Sequence, residues 1–172
     1  MNVILGVTGG ISAYKACDII SGLKATGHTV KVIMTESAKR FVTEEVLAVM
    51  SEHQVFTDAN RDLDGTISHI SLSQWGDLLL IAPATGNTMS KIHCKFADNF
   101  LTTVALAYEG RKVMAPAMNP KMWQKIVRTG YELVGDGWEF INPVEGLMAC
   151  GDTGMGKLEK PRKIVDFVNN MS

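Results

Sequence analysis

The chain has 172 residues, 46% of them hydrophobic and 20% charged, enough to bury one sizeable core and too few for two ordinary domains, so residues 1–172 are expected to form one domain. Lys plus Arg (17) nearly balance Asp plus Glu (18), and no basic run interleaved with aromatics occurs, which excludes the footprint of a nucleic-acid binder and points to a small-molecule partner. No stretch of about 18 apolar residues occurs, the start MNVILGVTGG has no basic leader, and Cys17, Cys94 and Cys150 suit neither a disulfide framework nor a zinc knuckle, so no metal site is expected and a cytoplasmic, reducing location is.

Residues 2–7 are a short apolar run closed by Thr8-Gly9-Gly10, and residues 11–26 carry Ala13, Ala16, Ile19, Ile20 and Leu23 at helical spacing. Residues 29–34 (TVKVIM), rich in β-branched side chains, predict a second strand and with it a βαβ unit on a parallel sheet. Helical signals return over residues 36–50, with Thr43 as N-cap, and residues 57–66 form a polar connection. A third, fully buried strand is predicted over 77–82, a helix over 99–107 and a fourth strand over 112–115. A helix over 120–129 follows, then short strands over 131–134 and 138–141, a Gly-rich loop over 146–156 and a last helix from Pro161. The alternation predicts an α/β fold with a doubly wound parallel sheet, of the Rossmann or flavodoxin-like kind.

In such a sheet the ligand crevice lies beyond the carboxyl ends of the strands. The segments after the four main strands contain Gly9, Gly10, Ile11 and Ser12; Thr35 and Ser37; Thr85, Gly86, Asn87 and Thr88; and Ala117 and Asn119. These supply backbone N–H groups and neutral hydroxyl or amide groups, equipment for holding a phosphate without a P-loop lysine. The first loop is not G-x-G-x-x-G, and the second strand ends in Met34-Thr35, where a dinucleotide fold would favour an acid, so a mononucleotide is expected. Each loop taken alone also reads as an ordinary helix cap.

Five motifs in order carry a resemblance that spans nearly the whole chain: GVTGGISAYK (6–15), SHISL (68–72) followed by Asp77, PATGNT (83–88), PAMNPKMW (116–123) and GLMACGDTGMG (146–156). The sequence resembles the homo-oligomeric flavin-containing cysteine decarboxylases, a family that includes phosphopantothenoylcysteine decarboxylases, lantibiotic peptidyl-cysteine decarboxylases and plant halotolerance flavoproteins. The resemblance implies FMN as cofactor and decarboxylation of 4'-phosphopantothenoylcysteine to 4'-phosphopantetheine in coenzyme A synthesis. It implies a homotrimer or higher homo-oligomer, and it makes His69 a catalytic histidine that reaches a neighbouring subunit's site. It makes Asn119 the binder of the substrate carboxylate, and the Gly-rich loop with Leu147, Met148 and Ala149 the substrate clamp. Cys150 becomes the acid that completes the saturated product.

Physical chemistry is consistent with these roles. An imidazole exchanges protons near neutral pH, and a thiol with pKa of about 8.5 is mostly protonated at pH 7. Asn119 before Pro120 is also an ideal N-cap, and an oxygen used as a cap still leaves the amide N–H₂ to donate. Losing CO₂ from a cysteine carboxylate leaves a carbanion without an electron sink, which is why the resemblance brings a flavin. Two departures stand out. Gly86 replaces the usual Ala and is expected to loosen its turn, and Lys157 stands where an Arg is frequent, without that residue's bidentate fork.

The rival readings are a decarboxylase of peptidyl cysteine, a flavin prenyltransferase, a non-catalytic FMN-binding regulatory subunit and a flavodoxin-like electron carrier. The Met-Asn and Ala-Cys-Gly motifs argue against both the decarboxylase of another cysteine-terminated substrate and the prenyltransferase, the joint presence of His69, Asn119 and Cys150 against the regulatory subunit, and the near-neutral charge and clamp against the carrier. The sequence ends shortly after the helix from Pro161, so the phosphopantothenate–cysteine ligase that some bacteria fuse to this decarboxylase is expected as a separate protein.

Overall fold

Aliphatic runs too apolar to expose either face lie between amphipathic segments, and that pattern closes only as a sheet covered on both sides. The computed structural model describes residues 1–59, 68–149 and 151–171. Strands β1 (Asn2–Val7), β2 (Thr29–Met34), β3 (Leu78–Ala84), β4 (Arg111–Pro116) and β5 (Trp138–Phe140) form a parallel sheet in the order β2-β1-β3-β4-β5.

Alternation along the strands feeds two cores. On one face Val3, Leu5, Val7, Leu78, Leu80 and Val113 pack with Ile19, Ile20 and Leu23 of α1 (Ala16–Ala25), Leu47 of α2 (Glu44–Ser51), and Ile164, Val165 and Val168 of α7 (Pro161–Asn169). On the other, Ile4, Leu79, Ile81 and Met114 meet Leu72 of α3 (Ser68–Trp75), Met89 and Ile92 of α4 (Gly86–His93), Phe100, Leu101 and Val104 of α5 (Phe100–Ala107), and Leu133 of α6 (Pro120–Gly135). The sheet is doubly wound, as expected from the sequence. An antiparallel hairpin, β6 (Val144–Leu147) with β7 (Thr153–Lys157), stands apart from it. Among the described residues no helix is long and apolar enough to cross a membrane.

The first two strands fall where the sequence places them, and Thr43 caps α2 by accepting from the Val46 N–H at 3.3 Å. The long helix expected from residue 11 opens as a 3₁₀ segment, Ile11–Lys15, before α1, and the one expected over 36–50 is 3₁₀ over Glu36–Arg40 and then α2. Three corrections are needed. Residues 131–134 are not a strand: α6 runs through Gly130 because Gly130 and Leu133 are buried one turn apart, so burial outweighs the β-propensity of Tyr131 and Val134. Residues 146–156 are largely the hairpin rather than loop, its main-chain pairing satisfied by β6 and β7 themselves. Gly86, Asn87 and Thr88 are the first turn of α4, an eight-residue helix with few apolar residues that the sequence did not suggest, and α3 was missed likewise because its apolar period is weak. Most of the polar connection over 57–66 lies outside the described residues.

Candidate functional site

In the order β2-β1-β3-β4-β5 the winding reverses between β1 and β3, so the chain leaves their carboxyl ends in opposite directions and opens a crevice there. The loops around it are tied in series. The Thr35 N–H donates to the Val7 carbonyl at 3.1 Å, linking the ends of β2 and β1. Thr8 Oγ1 donates to the Pro83 carbonyl at 2.6 Å and accepts from the Thr85 N–H at 3.0 Å, linking β1 to β3. The Ala117 N–H donates to the Ala84 carbonyl at 3.0 Å, linking β3 to β4, and the Met118 N–H donates to the Gly156 carbonyl at 2.9 Å, which attaches the hairpin.

Two of these approaches demand glycine. A Cβ on Gly9 would stand 2.3 Å from Ser37 Oγ and 2.7 Å from the Ser37 backbone carbon, and one on Gly156 (φ 146°) would stand 2.3 Å from the Met118 carbonyl oxygen. With those atoms absent, the loops enclose a cavity of about 530 Å³.

Of the expected cofactor residues, Gly9, Gly10, Ile11, Ser12 and Ser37 line one side of this cavity, and Thr85, Gly86, Asn87 and Ala117 another part of its wall. The 3₁₀ segment that starts at Ile11 has no side-chain cap, and Thr85 caps α4 at Thr88 N (3.4 Å), so first-turn N–H groups of both segments have no partner within their own helix. Thr35 and Thr88 do not line the cavity. They brace it: Thr35 Oγ1 lies 3.2 Å from Ser37 Oγ, and the buried Thr88 hydroxyl 3.2 Å from Thr85 Oγ1.

Of the expected substrate residues, Asn119, Met148 and Ala149 line the cavity, whereas Leu147 is 65% exposed on β6 and does not. Asn119 does two things at once: Oδ1 accepts from the Lys121 N–H at 2.9 Å, capping α6, and Nδ2 donates to Asp152 Oδ2 at 2.7 Å. The second bond was not legible in the sequence, because nothing in the spacing of residues 119 and 152 announces it. Cys150 lies outside the described residues.

His69 does not line the cavity of its own chain. It sits half-buried in α3, whose Ser68 and Leu72 are buried, and its carbonyl accepts from Ser73 Oγ at 2.6 Å. Asp77, just beyond α3, holds the start of β1 by accepting from the Asn2 N–H at 2.7 Å.

Met118 and Met122 also line the cavity, with no role expected for either from the sequence, as do Gly156 of the expected clamp and Lys157, which stands where an Arg is frequent. The two methionines give a flexible apolar patch suited to a flat ring. Lys157 is the cavity's only lysine among the described lining residues, and burial together with the Lys157 charge holds Lys15 below the ordinary lysine range. The site is therefore cationic on one side and neutral-polar along the loops, an arrangement for an anionic, partly aromatic ligand.

The chain matches the Flavoprotein family over residues 1–172. It is 46% identical over 167 residues to the coenzyme A biosynthesis bifunctional protein CoaBC of Bacillus subtilis, covering 95% of this chain but 41% of that protein. It is 40% identical over 161 residues to the probable phosphopantothenoylcysteine decarboxylase of Streptococcus mutans, covering 91% of this chain and 90% of that one. Among solved structures it resembles a PPC decarboxylase Cys-to-Ser mutant complexed with pantothenoylaminoethenethiol (TM-score 0.90, 28% identity, 99% of this chain and 97% of that one). It also resembles the FMN binding protein AtHal3 (TM-score 0.88, 29% identity, 99% and 95%). A family match along the full sequence, with relatives this similar on either side of it, establishes that the chain belongs to the Flavoprotein family.

Proposed function

We propose that this chain is an FMN-dependent decarboxylase that converts 4'-phosphopantothenoylcysteine to 4'-phosphopantetheine and CO₂ in coenzyme A synthesis, working in the cytoplasm as a homo-oligomer downstream of a phosphopantothenate–cysteine ligase. The observation that carries the reading is the single cavity in which the Gly-Ser-Thr-Asn loops, Asn119 and the hairpin turn meet. The names of the Streptococcus relative and of the PPC decarboxylase structure support the substrate, and those of AtHal3 and the cysteine decarboxylase SpaF support FMN.

The residues fit FMN. Its phosphate suits the first-turn N–H groups around Ile11, Ser12, Gly86 and Asn87, and its ring suits the Met118–Met122 patch. When bound, FMN supplies a two-electron acceptor and donor beside the cysteine side chain.

The chain's own residues do the rest. Asn119 Nδ2 donates to the substrate carboxylate and fixes its orientation, with Oδ1 already committed to the cap of α6. Lys157 offers an ammonium to the phosphorylated end of the substrate. The net reaction exchanges CO₂ for a proton without net oxidation, so one group must take the thiol proton and another must protonate carbon. The imidazole of His69, contributed from a neighbouring subunit, takes the first, and the Cys150 thiol supplies the second. The Cys-to-Ser mutant of PPC decarboxylase that holds an aminoethenethiol is the natural counterpart of this assignment. Closure of the turn that carries Met148 and Ala149 excludes water while this happens.

The test is to purify the protein, record its visible spectrum and incubate it with 4'-phosphopantothenoylcysteine while following mass. A yellow protein that converts the substrate with loss of CO₂ is expected; a colourless protein without turnover sinks the reading.

A further inference from the structure

Asn119 already holds a carboxylate. Its Nδ2 donates to Asp152 Oδ2 at 2.7 Å, while Oδ1 accepts from the Lys121 N–H at 2.9 Å and so cannot swing away without uncapping α6. Asp152 lies just before β7, in a turn closed by the Met148 N–H to the Asp152 carbonyl (2.8 Å) and by the Gly151 N–H to the Met148 carbonyl (2.9 Å). Met148 and Ala149 in that same turn line the cavity. The carboxylate of Asp152 thus stands on the donor that the decarboxylase reading gives to the substrate. Two carboxylates drawn to one neutral amide repel each other, so one must take a proton or leave.

We propose that Asp152 is a positioning residue that stands in for the substrate carboxylate. In the ligand-free enzyme it keeps the Asn119 amide oriented and the clamp turn docked; a ligand with its own carboxylate displaces it, and the turn moves with it. When the substrate carboxylate departs as CO₂, the Asn119 donor loses its partner and Asp152 returns to it. The amide is hydrogen-bonded in both states, so the exchange leaves this part-buried donor with a carboxylate partner at either end of the cycle.

This inference rests on the functional reading, and the experiment separates the two. FMN-loaded wild-type, Asp152→Ala and Asp152→Asn proteins are titrated with two unreactive ligands. One is 4'-phosphopantothenoylserine, which keeps the carboxylate and replaces the thiol by a hydroxyl; the other is its ethanolamine counterpart, which lacks the carboxylate. If Asp152 competes for the amide, both variants bind the serine ligand about tenfold more tightly, roughly the worth of one charge-assisted hydrogen bond, and bind the ethanolamine ligand as the wild type does. Asp152→Asn keeps the size of the side chain and serves should the alanine variant not fold. Equal shifts for both ligands, no shift, or weaker binding of the serine ligand would overturn the proposal and leave Asp152 as a structural part of the turn. A wild-type protein that binds neither ligand would overturn the decarboxylase reading itself, and the inference with it.

Discussion

Thr8 and Thr85 meet through one hydroxyl at the reversal point of the sheet: Thr8 Oγ1 accepts from the Thr85 N–H at 3.0 Å and donates to the Pro83 carbonyl at 2.6 Å. Thr8 is 1% exposed, so both backbone groups depend on it. Thr8→Val keeps the shape and removes the hydroxyl, leaving a donor and an acceptor unpaired. A loss of about 1–3 kcal/mol in urea unfolding and weaker flavin retention are expected, with Thr8→Ser close to wild type. A valine variant as stable as the parent would show that water replaces the hydroxyl.

Gly9 and Gly86 should respond oppositely to alanine. At Gly9 the new methyl would meet the Ser37 backbone at 2.7 Å, which cannot rotate away, so a cost of about 1–3 kcal/mol and loss of the bound flavin spectrum are expected. At Gly86, the first residue of α4, the nearest atom is Ile126 Cδ1 at 3.2 Å, the end of a flexible side chain. Gly86→Ala is expected to change stability by no more than about 1 kcal/mol, with helix propensity favouring it, and to keep its flavin. Thermal melts with absorbance at the flavin band read both.

The two roles of Asn119 are separable. Asn119→Ser retains a capping oxygen for α6, while Asn119→Ala loses it at a cost of about 1 kcal/mol. Neither variant can present an amide to a carboxylate. Both should raise KM for the cysteine substrate, and only the alanine variant should also lower the melting temperature. Unchanged KM in the serine variant would remove Asn119 from substrate binding.

His69 is tested by mixing. Its side chain does not line its own chain's cavity, and the proposed function has it complete a neighbouring subunit's site, so on that proposal His69→Asn and Asn119→Ala damage different halves of one site. At substrate concentrations well below the raised KM of Asn119→Ala, each variant alone should be nearly inactive. Equilibrating the two under conditions of subunit exchange should recover part of the activity, and no recovery would place His69 outside the reaction.

Tyr108 predicts an alkaline limit to stability. Burial, with the nearby Asp77 charge, pushes its phenol from 10.0 up to about 12, and the neutral form donates to the Gly76 carbonyl at 3.0 Å. A raised folded pKa means that this contribution is full below pH 10 and fades as the pH rises towards 12, by roughly 1–3 kcal/mol in all. Tyr108→Phe should cost about 1 kcal/mol at neutral pH and flatten the decline above pH 10. Urea midpoints from pH 8 to 11.5 decide between a flattened and an unaltered profile.

Much of this molecule is local in origin and therefore legible in the sequence. Residues 3–7 and 78–82 are buried on both faces and residues 29–34 are rich in β-branched side chains, so all three read as strands of a parallel sheet, and Thr43 and Asn119 cap the helices that follow them. Because the loops that end parallel strands must share one edge of the sheet, Gly9, Ser37, Thr85 and Ala117 could be grouped before any contact was known. What depends on contacts between distant segments was not legible. The 131–134 segment becomes helix because Leu133 finds a core, and the glycines over 146–156 become a hairpin because Gly156 fits against the Met118 carbonyl. The Asn119–Asp152 bond joins residues 33 apart through a turn whose position only the packed hairpin decides. Periodicity and capping act within a few residues of chain, whereas these contacts exist only once the sheet has brought their partners together.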